Sequence, residues 1–134
     1  MQLAIQETLL GNDTPAAQLQ HAHELGVDGV EFLAADIDAR IDDIISALAS
    51  TGLQAAGLNM GSTHLLHPDF LQRDAAIALI RTAMTDSLDV GSGLVIFGPQ
   101  RADTPRLPDL RPYKHQAEME ADFLATQCRA TLGD

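Results

Sequence analysis

The sequence predicts an α/β fold of four consecutive βα units with a parallel sheet. Four short apolar segments of strand length alternate with stretches of helical period, and such alternation argues for parallel strands with helices packed on them. The last of these segments, Leu94-Val95-Ile96-Phe97, is apolar throughout, as suits a parallel strand buried on both faces. The length of 134 residues is about half of the roughly 250 that an eight-stranded barrel needs. Two architectures follow from these observations. Half of a barrel runs its strands in the order 1-2-3-4, and a small doubly wound sheet runs 2-1-3-4.

Strand one is read at Leu3-Ala4-Ile5, and the polar run Gly11-Asn12-Asp13-Thr14 then leads into a helix. Thr14 suits an N-cap because its hydroxyl accepts an orphan backbone N–H, and Pro15 suits the first helical position, where no N–H is needed. Ala16, Leu19, Ala22 and Leu25 recur at helical period before Gly26, a residue suited to a left-handed C-cap. Strand two, Gly29-Val30-Glu31-Phe32-Leu33, precedes a helix capped by Asp36 or Asp38 with Ile37, Ile41, Ile44, Ile45 and Leu48 on its apolar face. Gly52 stops that helix.

Leu53 to Leu58 is the third apolar segment, and the longer loop Asn59 to Pro68 follows with two histidines. Asp69 and Gln72 have the spacing of a capping box for a helix that runs to Leu88 and is ended by Gly91. After strand four and a proline-rich loop, Ala117, Ala121, Leu124 and Cys128 mark the fourth helix. Leu132-Gly133-Asp134 repeats the punctuation that closes helices one and two. This predicts a single unit over 1–134 that stops where a fifth strand would begin.

With 46% hydrophobic and 20% charged residues the chain can bury a core, and no run reaches the roughly 18 apolar residues of a membrane span. A net charge of -11, with Lys114 the only lysine, repels phosphate backbones, so neither nucleic acid nor a membrane is an expected partner. Cys128 is the only cysteine, which excludes an internal disulfide and a cysteine-based zinc site. The N-terminus lacks the basic start and long apolar stretch of a signal peptide, so the expected location is the cytoplasm.

Two motifs carry a resemblance. Gly26-Val27-Asp28-Gly29-Val30-Glu31 has the form G-x-D-G-V-E, and Pro68-Asp69 with Arg73, Ala76 and Ile77 has the form P-D-x-x-x-R-x-x-A-I, followed by a strand that ends at Gly98-Pro99-Gln100-Arg101. In this order and context they resemble the sugar-phosphate isomerase/epimerase family, whose fold is the xylose-isomerase-like TIM barrel. The resemblance implies the N-terminal half of such a barrel and a sugar or sugar phosphate as substrate. It also implies metal-assisted proton transfer beside a carbonyl. The family's divalent metal (Mn, Co, Mg or Zn) sits on a Glu, Asp, His and Glu set from strands five to eight, so none is expected in this chain. By itself the chain is then expected to be inactive. The family's A-x-x-L-G-A connection is here Ser87-Leu88-Asp89-Val90-Gly91-Ser92, and strand four lacks the histidine of the related abasic-site endonucleases.

The C-terminal strand ends form the active face of a parallel barrel, and position there selects the candidates. Glu7 follows strand one and can accept a sugar hydroxyl, or be a solvated loop carboxylate. Glu31 points away from Val30 and Phe32 and contacts substrate or pairs with an arginine or backbone group. His64 and His67 lie three apart; substrate contact by His64 is the functional reading, because two histidines fall short of a metal site. Gln100 and Arg101 offer an amide and a guanidinium suited to a hydroxyl or phosphate. The alternative is a non-catalytic half-barrel that assembles with another chain, either the missing half or a second copy, to cover its open sheet edges.

Overall fold

The computed structural model describes residues 1–11, 14–67, 69–99 and 116–132. Strands β1 (Ala4–Gln6), β2 (Gly29–Leu33), β3 (Gln54–Thr63) and β4 (Val95–Pro99) form one parallel sheet in the order β1-β2-β3-β4, which excludes the doubly wound alternative. Helices α1 (Pro15–Glu24), α2 (Ile41–Thr51), α3 (Phe70–Asp89) and α4 (Gln116–Leu132) follow the strands in turn. Among the described residues no helix is long and apolar enough to cross a membrane.

Contacts divide the chain into two units, Met1–Gly61 with Thr82–Ile96, and Ser62–Arg81 with Phe97–Asp134. The core of the first joins Val30, Phe32 and Leu58 of the strands to Leu19 and Ala22 of α1, Ile44 and Ala47 of α2, and Ala83 of α3. Alternation along β2 explains the choice: Val30 and Phe32 are fully buried on the helix side, and Glu31 faces the other way, half-buried. In the second unit Leu65, Leu66, Ala76 and Ile80 are buried, and the Arg73 guanidinium lies 5.6 Å from the centre of the Phe123 ring.

The caps form as their chemistry requires. Thr14 Oγ1 accepts from the Ala17 N–H at 3.4 Å, and Gly52 caps α2 with φ 74°. At three places the elements differ from the sequence reading. Asp36 takes φ 54° and Ile37–Ala39 form a 3₁₀ turn, so α2 begins at Ile41 with Arg40 at its N-cap, and neither aspartate caps it. Ile37 stays in the core, whereas Ile45, Leu25 and Ala16 are exposed, because each apolar face is narrower than its spacing suggested. Strand β3 continues through Asn59 to Thr63, beyond its apolar run, because Ala34 N–H donates to Asn59 O and Thr63 Oγ1 to Gly98 O.

Two stability predictions arise here. A Cβ on Gly29 would lie 2.7 Å from the backbone oxygen of Gln54, which the β2–β3 pairing holds in place. Gly29→Ala is therefore expected to destabilise the chain by about 1–3 kcal/mol, read as a lowered denaturation midpoint. Asp86 of α3 is 9% exposed, and burial first, then the charges of Asp38 and Asp89, push its carboxyl above the ordinary 3.8. The folded state then holds this proton more tightly than the unfolded chain, so stability falls as pH rises through the raised value. Asp86→Asn is expected to stabilise by a few tenths of a kcal/mol near neutrality and to give no gain in strong acid. Melting curves at the two pH values check it.

Candidate functional site

The inner face of the sheet, opposite α1, α2 and Ala83 of α3, carries a short polar layer at the strand ends. Gln6 is the register partner of Glu31, and Asn59 that of Leu33, so the three polar residues come from adjacent strands and share one side. Glu31 Oε1 accepts from Gln6 Nε2 at 2.6 Å and from Asn59 Nδ2 at 2.7 Å. Both amides are themselves oriented. Thr8 donates its hydroxyl to Gln6 Oε1 at 2.7 Å and the Gly61 N–H donates to Asn59 Oδ1 at 2.8 Å, which leaves each NH2 group turned to the carboxylate. Among the described residues Glu31 Oε2 has no hydrogen-bond partner.

Beside this layer the face is apolar. Gly57 is the register partner of Glu31, and the tips of Ile96 and Leu94 lie 3.3 and 3.5 Å from where its Cβ would be. Ile96 and Leu94 are 37% and 50% exposed. An accept-only carboxylate with one oxygen held, next to an exposed aliphatic floor, is suited to a ligand with both O–H donors and a C–H surface.

Glu7 has a different setting. Its carboxylate is buried, accepts from the Leu33 N–H at 2.7 Å, and takes a two-pronged contact from Arg40 at 2.9 and 3.0 Å. Arg40 Nη2 also donates to Leu33 O at 3.3 Å. The Glu7 hydrogen bond, aided by the charges of Glu7 and Asp36 and opposed by burial, raises the Arg40 pKa above the ordinary guanidinium range. This cluster ties the turn after β1 to the end of β2, with both Glu7 oxygens engaged inside the protein.

In the second unit His64 is exposed and meets the His67 ring edge-on, with ring centres 5.6 Å apart. His67 Nδ1 accepts from the Asp69 N–H at 3.1 Å, which makes His67 a brace for the start of α3. Asp69 Oδ1 accepts from the Leu71 N–H, and Arg73 Nη1 donates to His67 O at 2.6 Å. Gln100 and Arg101 lie outside the described residues. Among the described residues no three His, Cys, Asp or Glu side chains are grouped as for a metal ion.

A further depression of about 250 Å³ lies at the opposite, N-terminal ends of the strands, lined by residues that include Leu3, Asp28, Gly29 and Gln54. There Asp28 Oδ2 accepts from the Leu3 N–H at 2.7 Å. In parallel barrels this end serves stability, and chemistry sits at the end that carries Glu31. Sequence reasoning missed Gln6, Asn59 and Arg40. Gln6 and Asn59 had a usable signal, since each is the polar residue at the end of an apolar strand.

Residues 19–130 match the family of xylose isomerase-like TIM barrels. The chain belongs to that family. Among curated proteins none matches the sequence. Of solved structures, it is similar to the apo 3-keto-D-glucoside 4-epimerase of E. coli, with a TM-score of 0.70 and 18% identity over 98% of this chain and 53% of that one. It is also similar to the D-psicose 3-epimerase of Clostridium cellulolyticum solved with D-tagatose, with a TM-score of 0.65, 12% identity, and coverage of 98% and 48%. A protein from Sinorhizobium meliloti gives a TM-score of 0.63 and 17% identity, covering 96% and 47%. At these identities the likeness is one of fold, and the chain spans about half the length of the structures it matches.

Proposed function

We propose that this chain is the substrate-shaping N-terminal half of a sugar isomerase or epimerase barrel. The observation that carries the reading is Glu31, on the inner face at the strand ends, held through Oε1 by two oriented amides while Oε2 has no partner among the described residues. Family membership and the two epimerase neighbours support the reaction class. In a 3-keto, 4-epimerase pairing the inverted carbon adjoins the carbonyl, and proton transfer at such a carbon is general acid–base chemistry. Glu31 would accept a substrate hydroxyl and fix the sugar's orientation, a contribution of positioning. Exposed His64 is a second candidate for substrate contact, and Gln100 and Arg101 remain candidates on their sequence alone.

The described residues do not fit a metal centre. In this reading a divalent metal and the acid–base pair belong to four further βα units. The isolated chain, whose place of work we take to be the cytoplasm, is expected to show no epimerase or isomerase turnover with added manganese, cobalt or magnesium. Submicromolar binding of any of these ions, lost in His64→Ala, would contradict that expectation.

The experiment is an NMR titration of the chain with a ketohexose. Shifts concentrated at Gln6, Glu31 and Asn59, weakened about tenfold in Glu31→Gln, are expected from the loss of a charge-assisted hydrogen bond. Shifts elsewhere, or none, would refute the reading.

A second reading, that the chain works as an assembly module, draws on the exposure of Leu94 and Ile96 beside an open sheet edge. It predicts a dimer or larger species in sedimentation velocity. A monomer would remove this reading and leave the first standing.

A further inference from the structure

We infer that the inner-face site selects an uncharged polyol and discriminates against a phosphorylated sugar at Glu31. The inference rests on the proposed sugar-binding reading and narrows its substrate class. Glu31 presents an oxygen that can only accept, and an accepting carboxylate pairs with O–H donors but repels a phosphate. Among the described residues, the groups bonded to it add no positive charge. Its partners are the neutral amides of Gln6 and Asn59, and those amides are in turn turned toward Glu31 by Thr8 and the Gly61 N–H.

Arg40, the arginine of the first unit, is committed to Glu7 through a two-pronged contact and to Leu33 O. The net charge of -11 sets a repulsive background for a dianion. The apolar floor is an independent observation. Ile96 and Leu94 pack where a side chain on Gly57 would stand, directly beside the Glu31 register position, and both stay partly exposed. A sugar ring or chain lays its C–H groups on such a surface while its hydroxyls reach the carboxylate. A phosphate gains nothing from the floor and is repelled by the acid.

The test follows the side-chain NH2 resonances of Gln6 and Asn59 during separate titrations with D-fructose, fructose 6-phosphate and inorganic phosphate. Fructose is expected to shift both resonances, and the ester to bind about tenfold more weakly or worse. Inorganic phosphate is expected to leave them unmoved. In Glu31→Gln the preference for the neutral sugar should shrink, and the wild-type comparison stands without that variant. Equal or tighter binding of the ester at these amides would overturn the inference while leaving the sugar-site reading intact. If neither sugar moves them, the sugar-site reading itself fails, and the inference falls with it.

Discussion

Replacing Arg40 with methionine is expected to destabilise the chain by about 3 kcal/mol, because it leaves the Glu7 carboxylate buried without its cation. The Glu7 side chain is 5% exposed and that of Arg40 29%, so the charge that remains cannot turn to water without opening the turn after β1. Methionine keeps most of the aliphatic volume, which separates the loss of charge from a loss of packing. For a chain of this size the loss corresponds to roughly 10 °C in melting temperature. Changing pH does not mask the effect. The Arg40 pKa is raised, so its contribution is fully present below the ordinary guanidinium range and fades only as pH climbs through the raised value. Adding Glu7→Gln to Arg40→Met should recover part of the loss, since a neutral amide needs no cation; full additivity of the two would mean that they do not interact.

Phe32→Ala is expected to cost about 3–5 kcal/mol, and Glu31→Gln next to it about 1 kcal/mol or less. Phe32 is 0% exposed in the core between sheet and helices, and its removal leaves a cavity that the β2–β3 backbone pairing keeps from collapsing. Glutamine at position 31 keeps an oxygen for the Gln6 and Asn59 amides. Ketohexose binding should show the reverse order: Glu31→Gln weakens it, whereas any Phe32→Ala protein that remains folded keeps it. Chemical denaturation and sugar titration on the same pair of variants check both halves. A large stability loss from Glu31→Gln would make that residue structural.

Much of this arrangement was legible from the chain. Alternation in Gly29-Val30-Glu31-Phe32-Leu33 placed Glu31 opposite the core, and Thr14, Gly26 and Gly52 marked helix ends through their capping and left-handed preferences. The order of four βα units followed from apolar periodicity. What failed to show is non-local or lacks a hydrophobic signal. Glu7 and Arg40 are 33 positions apart, and no pattern in either neighbourhood announces the pairing. The second half of β3, Asn59-Met60-Gly61-Ser62-Thr63, is polar and glycine-bearing, so its strand character comes from hydrogen bonds to neighbouring backbone. The break before α2 was hidden because Ile37 continues the helical spacing while Asp36 turns left-handed. The sequence leaves Glu31 between contact with substrate and pairing with an arginine or a backbone group, and its two amide partners are brought to it by the register of three strands.

A crystal structure of the chain soaked with a ketohexose would show whether the sugar is received at Glu31 on the inner strand ends. A sugar hydroxyl is expected within hydrogen-bond distance of Glu31 Oε2, with sugar carbons against Ile96. A sugar seated instead in the depression at the N-terminal strand ends, between Asp28 and Gln54, would contradict this placement.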